Sequence, residues 1–338
     1  MAKKKIEKES LSEIMKRLNK TYGVGAIQSL KIKSPGEYET ISTGSIGFDW
    51  NVLGIGGIAK GKLYELIGWE GTGKSTICAH LAANCQKQGG TVVYIDGEHA
   101  VDTNYFKKIG VDTDKMLLSQ PSFGEEGFNI AMETIKSGEI DLVIIDSDSS
   151  LIPKKVVDGD VGDSAIGRKA LLNSNAYPKL KTQLRKNNTA VVVISQYREK
   201  IGVMFGDPRT TQGGHALKFY SDCRIEISKT LSKNGQDVVG NETKIRAIKN
   251  KIHPPYQITK FDIVFGLGID QHQELLDLAS EFEIGRKYGS TYTFNNVKHD
   301  LGEFLYKLED PEFFNSLKDQ VIDKILTIEA EEETQNEE

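Results

Sequence analysis

Gly68, Trp69, Glu70, Gly71, Thr72, Gly73, Lys74 and Ser75 have the types and spacing of a phosphate-binding loop, with Thr76 opening the helical stretch that follows. The glycines let the backbone curl until its N–H groups face an anion, and the dipole of the helix adds positive potential. Lys74 would then reach the β and γ oxygens of a nucleoside triphosphate, and Ser75 would ligate Mg²⁺. A chance glycine-rich turn is the competing reading, but it lacks the flanks seen here: an apolar run ending at Ile67 and a helix starting near Thr76.

Three more polar residues stand at the ends of apolar runs. Asp146 closes the run 142 to 145, where a carboxylate can hold hydrated Mg²⁺ through water. Alone, it would as readily be a helix cap or turn residue. Glu98 follows the run 91 to 95 after Asp96 and Gly97, on the edge where ligands bind in open α/β sheets. A carboxylate there can orient and deprotonate the water that attacks a γ-phosphate, assistance worth ~10²–10⁴ in rate; a solvated loop acid is the alternative. Gln196 ends the next run and offers an amide able to sense the γ-phosphate, although a hydrogen-bonded core glutamine has the same spacing.

The runs that must position these groups are Leu63–Gly68, Thr91–Asp96, Asp141–Asp146 and Thr189–Ser195, all short and nearly continuously apolar. Such runs suit strands buried on both faces, as in a parallel sheet covered by helices. Beyond Tyr220 the pattern alternates, at Cys223–Ile227, Lys244–Lys249 and Phe261–Phe265, between turn-rich segments, which predicts antiparallel additions to the sheet. Ahead of the loop, Leu11, Ile14, Met15 and Leu18 recur at helical spacing after a Ser10 cap and before Gly23. From Gln273 onward helical stretches flank a β-like piece, Ser290–Phe294, which predicts a small α+β domain. Four regions follow: an N-terminal helix and linker (1–36), an α/β core (37–270), a C-terminal domain (271–328) and a tail (329–338).

The chain has 338 residues, 38% of them hydrophobic and 27% charged, enough for one large core and one small additional domain. No run of eighteen apolar residues occurs, and Met1-Ala-Lys-Lys-Lys-Ile lacks the features of a secretory signal, so a cytoplasmic location without membrane contact is expected. Cys78, Cys85 and Cys223 are too scattered for a disulfide framework and have no zinc-ligand spacing; they read as small core residues. The net charge of −5 argues against a nucleic-acid binder until its distribution is considered. Residues 329–338 form an acidic run expected to be a disordered tail, and setting its six glutamates aside leaves the body near +1.

Taken together, these blocks resemble the bacterial RecA recombinase family from about Leu11 to about Leu278. The resemblance is carried by Glu39–Ser45, the phosphate loop, Tyr94–Asp102, Lys200–Gly206, Gly213–Tyr220 and Lys249-Asn250-Lys251 in their joint order. It implies a RecA-type P-loop ATPase core with a mostly parallel central sheet. It also implies a DNA-dependent ATPase that forms a helical filament on single-stranded DNA with ATP and Mg²⁺. Such a filament pairs with homologous double-stranded DNA in recombination, repair and the SOS response. By the same resemblance Glu98 is the catalytic glutamate, acting with Lys74 and with Gln196 as γ-phosphate sensor. Asp102 and Tyr105 contact adenine, Lys249 and Lys251 reach a neighbouring subunit's ATP, and Phe219 couples adjacent subunits. The segments from about 154 to 169 and 197 to 212 match the two DNA-lining loops.

On those loops and just beyond, the residues assigned to DNA by the resemblance are Ile166, Gly167, Arg168 and Lys169, then Arg198, Glu199, Lys200, Ile201, Phe205 and Arg209, then Gly213, Gly214 and His215. Composition agrees: glycines for mobility, Arg168, Lys169, Arg198 and Lys200 as phosphate partners, and Ile201 and Phe205 to wedge between or stack beside bases. A glycine-rich surface loop with incidental charge is the alternative. Leu171 and Pro178 stand where the family has arginines, Arg209 where an acid is common, Glu199 where an apolar residue is common and Ser195 where asparagine is common. The divergence is that expected of a remote or phage-encoded member. Three rivals remain: a ring-forming DNA motor or helicase of the same fold, a P-loop small-molecule phosphotransferase, and a scaffold that uses ATP only as a switch, for which a general base at Glu98 would be superfluous.

Overall fold

The structure, a computed structural model, describes residues 9–23, 26–27, 35–160, 166–199, 206 and 208–337. It divides into two compact units, Met1–Glu37 and Tyr38–Glu338. In the first, helix α1 (Leu11–Tyr22) opens on a reciprocal cap: the Glu13 N–H donates to the Ser10 hydroxyl, and the Ser10 N–H donates to the Glu13 carboxylate. Gly23, at φ 98°, ends it in a conformation that glycine adopts without strain.

The second unit begins with a two-stranded pair, β1 (Thr40–Ile41) and β2 (Ile58–Ala59), and then alternates strand and helix. The order is β3 (Leu63–Gly68), α2 (Lys74–Lys87), β4 (Val92–Asp96), α3 (Thr103–Ile109), β5 (Leu117–Ser119), α4 (Gly124–Lys136), β6 (Leu142–Asp146), α5 (Lys154–Val157), α6 (Arg168–Asn187) and β7 (Ala190–Glu199). Strand β8 (Arg209–Thr211) returns against β7, and helix α7 (Ala216–Tyr220) leads into the long hairpin β9 (Cys223–Asn234) and β10 (Asp237–Asn250), followed by β11 (Ile258–Val264) and β12 (Gly268–Ile269). The main sheet runs β12-β11-β10-β9-β3-β7-β6-β4-β5. It is parallel from β9 to β5 and antiparallel from β9 to β12, the mixed α/β arrangement the sequence pattern predicts.

Alternation explains why the parallel strands read as unbroken apolar runs. Tyr64, Leu66, Tyr94, Ile144, Val192 and Ile194 pack on one face with Ile77 and Leu81 of α2. Leu63, Val93, Ile95, Val143, Ile145, Val191 and Val193 pack on the other with Phe128 of α4 and Tyr177 and Leu180 of α6. Both faces are dry, so the strands are almost wholly apolar; the exception is buried Glu65 of β3, which is paired with Arg224 of β9. Cys78, Cys85 and Cys223 are free and buried, as expected of core residues.

C-terminally, α8 (Gln271–Glu281), the antiparallel meander β13 (Gly285–Tyr288), β14 (Thr291–Phe294) and β15 (Val297–Asp300), α9 (Leu301–Lys307) and α10 (Pro311–Glu337) surround a third cluster built on Leu275, Tyr292, Phe294, Phe304, Leu317 and Val321. Ile46 joins that cluster, and buried Glu274 accepts the N–H groups of Ile46 and Gly47 at 3.1 Å each and the hydroxyl of Ser45. The acidic segment 329–338, expected as a disordered tail, instead continues α10 through Glu337. Glu, Ala and Gln are good helix formers, and no Gly or Pro after Pro311 supplies a stop. Among the described residues no helix is long and apolar enough to cross a membrane.

Candidate active site

Parallel register brings the polar strand ends together. Gly68 pairs with Gln196, and Asp96 pairs with Asp146, on the adjacent strands β3, β7, β6 and β4. Their carboxyl ends open on a cleft of about 370 Å³. It is lined by Glu70 to Thr76, Glu98, Tyr105, Asp146 and Gln196, together with Ile194, Asn241, Ile263, Phe265 and Gly266. Gly73, at φ 91°, precedes α2, and a Cβ there would come within 2.4 Å of the Ile263 side chain. Glycine is therefore required by both backbone and space. A Cβ on Gly68 would meet the Ile227 carbonyl oxygen at 2.4 Å, so β9 closes against the loop from behind.

Lys74 is buried, and its Nζ donates to the Trp69 carbonyl at 2.7 Å and the Gly68 carbonyl at 3.2 Å. Burial pulls its ammonium below the ordinary range, and Asp146 and Glu98 pull it partly back. An anionic phosphate beside it would favour the charged form, opposing the effect of burial. Ser75 Oγ donates to Asp146 Oδ2 at 2.8 Å, and the Tyr94 hydroxyl donates to the same oxygen at 2.7 Å. Burial raises Asp146 above the usual carboxylate range; hydrogen bonds from Tyr94 and Ser75 oppose this, while Glu98 and Asp96 reinforce it. A hydroxyl and a desolvated carboxylate side by side form the hard-oxygen donor set that suits Mg²⁺.

Glu98 lies opposite. Its Oε1 accepts from Gln196 Nε2 at 2.7 Å and from Ser147 Oγ at 2.6 Å, so the acid and the amide singled out in the sequence are bonded to one another. Tyr105 lines the cleft with its hydroxyl 3.0 Å from Thr76 Oγ1. Asp102 instead caps α3, accepting from the N–H groups of Asn104 and Tyr105. The cleft has a wall that the sequence reading missed: Asn241 of β10, Ile263 of β11, and Phe265 and Gly266 of the following turn. The signal was the Gly266–Gly268 pair beside an alternating strand, but only the sheet order places it against the phosphate loop.

The sequence model of the RecA N-terminal domain matches residues 9–270. Protein RecA of Macrococcus caseolyticus is 41% identical over 326 residues, covering 95% of this chain and 92% of the relative. Protein RecA of Lactobacillus johnsonii is 42% identical over 319 residues, covering 93% and 88%. Protein RecA of Bacillus anthracis is 44% identical over 294 residues, covering 87% and 85%. This chain belongs to the RecA family. As a RecA-family protein it is a DNA-dependent ATPase and a recombinase of DNA repair, and it uses a nucleotide.

Other residues assigned by resemblance to RecA lie away from the cleft. Lys249 Nζ donates to the carbonyls of Lys218 and Phe219 at 2.9 and 3.1 Å, and Lys251 lies 3.6 Å from Asp222. Burial, then Lys251 and Arg224, lower the Lys249 pKa. Phe219, 69% exposed, shares this surface, its ring 6.1 Å from that of His215. Of the first loop, Ile166 is 93% exposed, Gly167 precedes α6 at φ 76°, and Arg168 donates to the Lys155 carbonyl. The structure does not bring Lys169 to the loop surface. It turns inward, donating to the Leu151 carbonyl at 2.7 Å, 3.6 Å from buried Asp148 and over the Phe128 ring. In the second loop Arg198 and Glu199 are exposed on β7, while Arg209 pairs with Glu226. Gly213 and Gly214 both have positive φ. Lys200, Ile201 and Phe205 lie outside the described residues.

Proposed function

We propose that this chain binds ATP with Mg²⁺ in the cleft between β3, β4, β6 and β7, polymerises as a helical filament on single-stranded DNA and pairs it with a homologous duplex. The observation that carries the reading is the Glu98–Gln196 hydrogen bond, which joins a base for hydrolysis to the strand that runs out into the second DNA-facing segment. Lys74 and the loop N–H groups hold the triphosphate. Ser75 and Asp146 would hold Mg²⁺, which when bound neutralises phosphate charge. Glu98 takes the proton of the attacking water, and Gln196 turns from Glu98 toward the γ-phosphate and moves β7. Lys249, Lys251 and Phe219, away from the cleft of their own subunit, serve the neighbour's site. The backbone of the DNA is gripped without reading bases, so affinity falls steeply with salt and varies little with sequence. The protein works in the cytoplasm.

The deciding experiment is ATP hydrolysis with and without single-stranded DNA, followed by strand exchange between a circular single strand and a homologous linear duplex. Stimulated hydrolysis with joint-molecule formation is the expected result. Turnover indifferent to DNA would favour a phosphotransferase, and stimulated turnover that unwinds duplex without pairing strands would favour a motor.

A further inference from the structure

Gly68 and Gln196 are the last pair of the parallel β3–β7 ladder, so Trp69, the first residue past β3, and Tyr197, the next residue of β7, follow side by side. Their rings meet there, with centroids 5.8 Å apart and planes tilted by 53°. Trp69 belongs to the phosphate loop, and Tyr197 is the first residue beyond Gln196. Tyr197 is held in turn on three sides. Its hydroxyl donates to Glu226 Oε1 at 2.9 Å on β9, the Arg209 guanidinium lies 5.1 Å from its ring centre, and its backbone pairs with Thr211 of β8. Glu226 is further clamped by Arg209 and Arg246. Burial alone would raise its pKa, but the bonds from Tyr197 and Arg246 outweigh that and hold it low, as a fixed anion. Arg209 and Glu199 are two of the positions at which the sequence departs from the family pattern, and they pair across β7 and β8.

We infer that the Trp69–Tyr197 ring contact is a positioning pair that transmits nucleotide occupancy to the β7–β8 ribbon, alongside the Gln196 contact; this rests on the function proposed above. The bonds on which the change would act are those to the Trp69 carbonyl. That oxygen accepts from both Lys74 Nζ, at 2.7 Å, and Thr72 Oγ1, at 2.9 Å. A bound triphosphate draws the Lys74 ammonium off that carbonyl, so the Trp69 peptide and its ring reset. Tyr197 cannot follow the ring without moving β8, because Arg209 and Glu226 bind it to that strand and to β9. A coupling of this kind is a ratio of affinities and acts equally in both directions.

The test measures single-stranded DNA affinity by anisotropy of a labelled oligo(dT), with and without ATPγS, and takes the ratio. In Tyr197→Leu the ratio falls by about three- to ten-fold, the factor that corresponds to one aromatic contact. In Tyr197→Phe it is restored, since that variant keeps the ring against Trp69 and Arg209 and loses only the hydroxyl bond. A variant that merely loosens the fold lowers both affinities and leaves the ratio in place. Trp69→Leu, at a position 42% exposed, carries the same expectation if Tyr197→Leu does not fold, and the double variant loses no more than either single one. A wild-type ratio that survives in Tyr197→Leu, or equal loss in Tyr197→Phe, overturns the link alone. A wild-type protein whose DNA binding ignores the nucleotide overturns the proposed function and the link with it.

Discussion

Glu98→Gln separates the chemistry of the cleft from its architecture. In the structure Glu98 Oε1 accepts two hydrogen bonds, from Gln196 at 2.7 Å and Ser147 at 2.6 Å, while the other oxygen takes no bond among the described residues. The amide oxygen of glutamine can accept both of those bonds, so the side chain stays where it is and the phosphate loop, which Glu98 does not contact through a hydrogen bond, is undisturbed. What disappears is the basic oxygen. General-base assistance is worth ~10²–10⁴ in rate, which corresponds to about 3–5 kcal/mol of barrier. The expected outcome is a fall of that size in kcat for DNA-stimulated ATP hydrolysis, measured by phosphate release. Affinity for a fluorescent ATP analogue should stay within about two-fold, because no group proposed to hold the phosphates is altered. DNA binding with ATP should persist and turn over more slowly. A kcat that drops less than ten-fold, or a nucleotide affinity that drops in step with it, would refute the reasoning, since the residue would then be acting as a structural tie rather than as a base.

Two further expectations concern the frame that holds the site. Gly213→Ala places a Cβ within 2.1 Å of Asn173 Nδ2 at a φ of 85°, and should cost about 1–3 kcal/mol, read as a lowered thermal midpoint, with weakened DNA binding because Asn173 also holds Asp148. Glu274 is pushed by burial up to about 8 from an ordinary 4.5, so the folded state binds the extra proton and stability falls as pH rises between those values. Glu274→Gln keeps one acceptor oxygen, for Gly47 and Ser45, but sets an NH2 against the Ile46 N–H; it lowers stability throughout, and by removing the titrating group it should flatten that decline by up to about 1.4 kcal/mol per pH unit, measured by denaturant titration across the window. Unchanged slopes would mean that the carboxyl is charged in the folded protein.

The parts of the site legible from sequence share one property: each sits at the end of a strand whose partners are its near neighbours in a parallel sheet. Lys74, Glu98, Asp146 and Gln196 are spread over 123 positions, yet each closes or closely follows the apolar run of one strand: Lys74 opens the helix after β3, Glu98 lies two residues past β4, Asp146 ends β6 and Gln196 follows the apolar part of β7. Asn241, Ile263, Phe265 and Gly266 lacked that property. They arrive from antiparallel strands whose place beside β3 depends on β9 pairing parallel to it, a choice no local pattern encodes. The acidic end of α10 misled for a different reason: composition reports solvation, and a solvated segment can still be helical when helix formers run on without a stop.

Charge was the least legible feature, and Lys169 and Arg209 show why. Both are cations on segments matched to DNA-lining loops; Lys169 reads by composition as a phosphate partner, and the resemblance assigns Arg209 to DNA as well. Lys169 is committed to Asp148 and the Leu151 carbonyl, while Arg209 is committed to Glu226 and the Tyr197 ring. A cation's value to a polyanion is what remains after its local partners are satisfied, and those partners come from a 3-10 turn at 148–150 with the residue after it and from strands β7 and β9, none adjacent to the cation in sequence. Arg209 is held against Glu226 and the Tyr197 ring, whereas Arg198 is exposed on β7, where a phosphate could meet it directly. Neutralising Arg198 should thus reduce the salt slope of DNA binding by about one phosphate contact, and neutralising Arg209 should leave the slope in place while weakening its dependence on nucleotide.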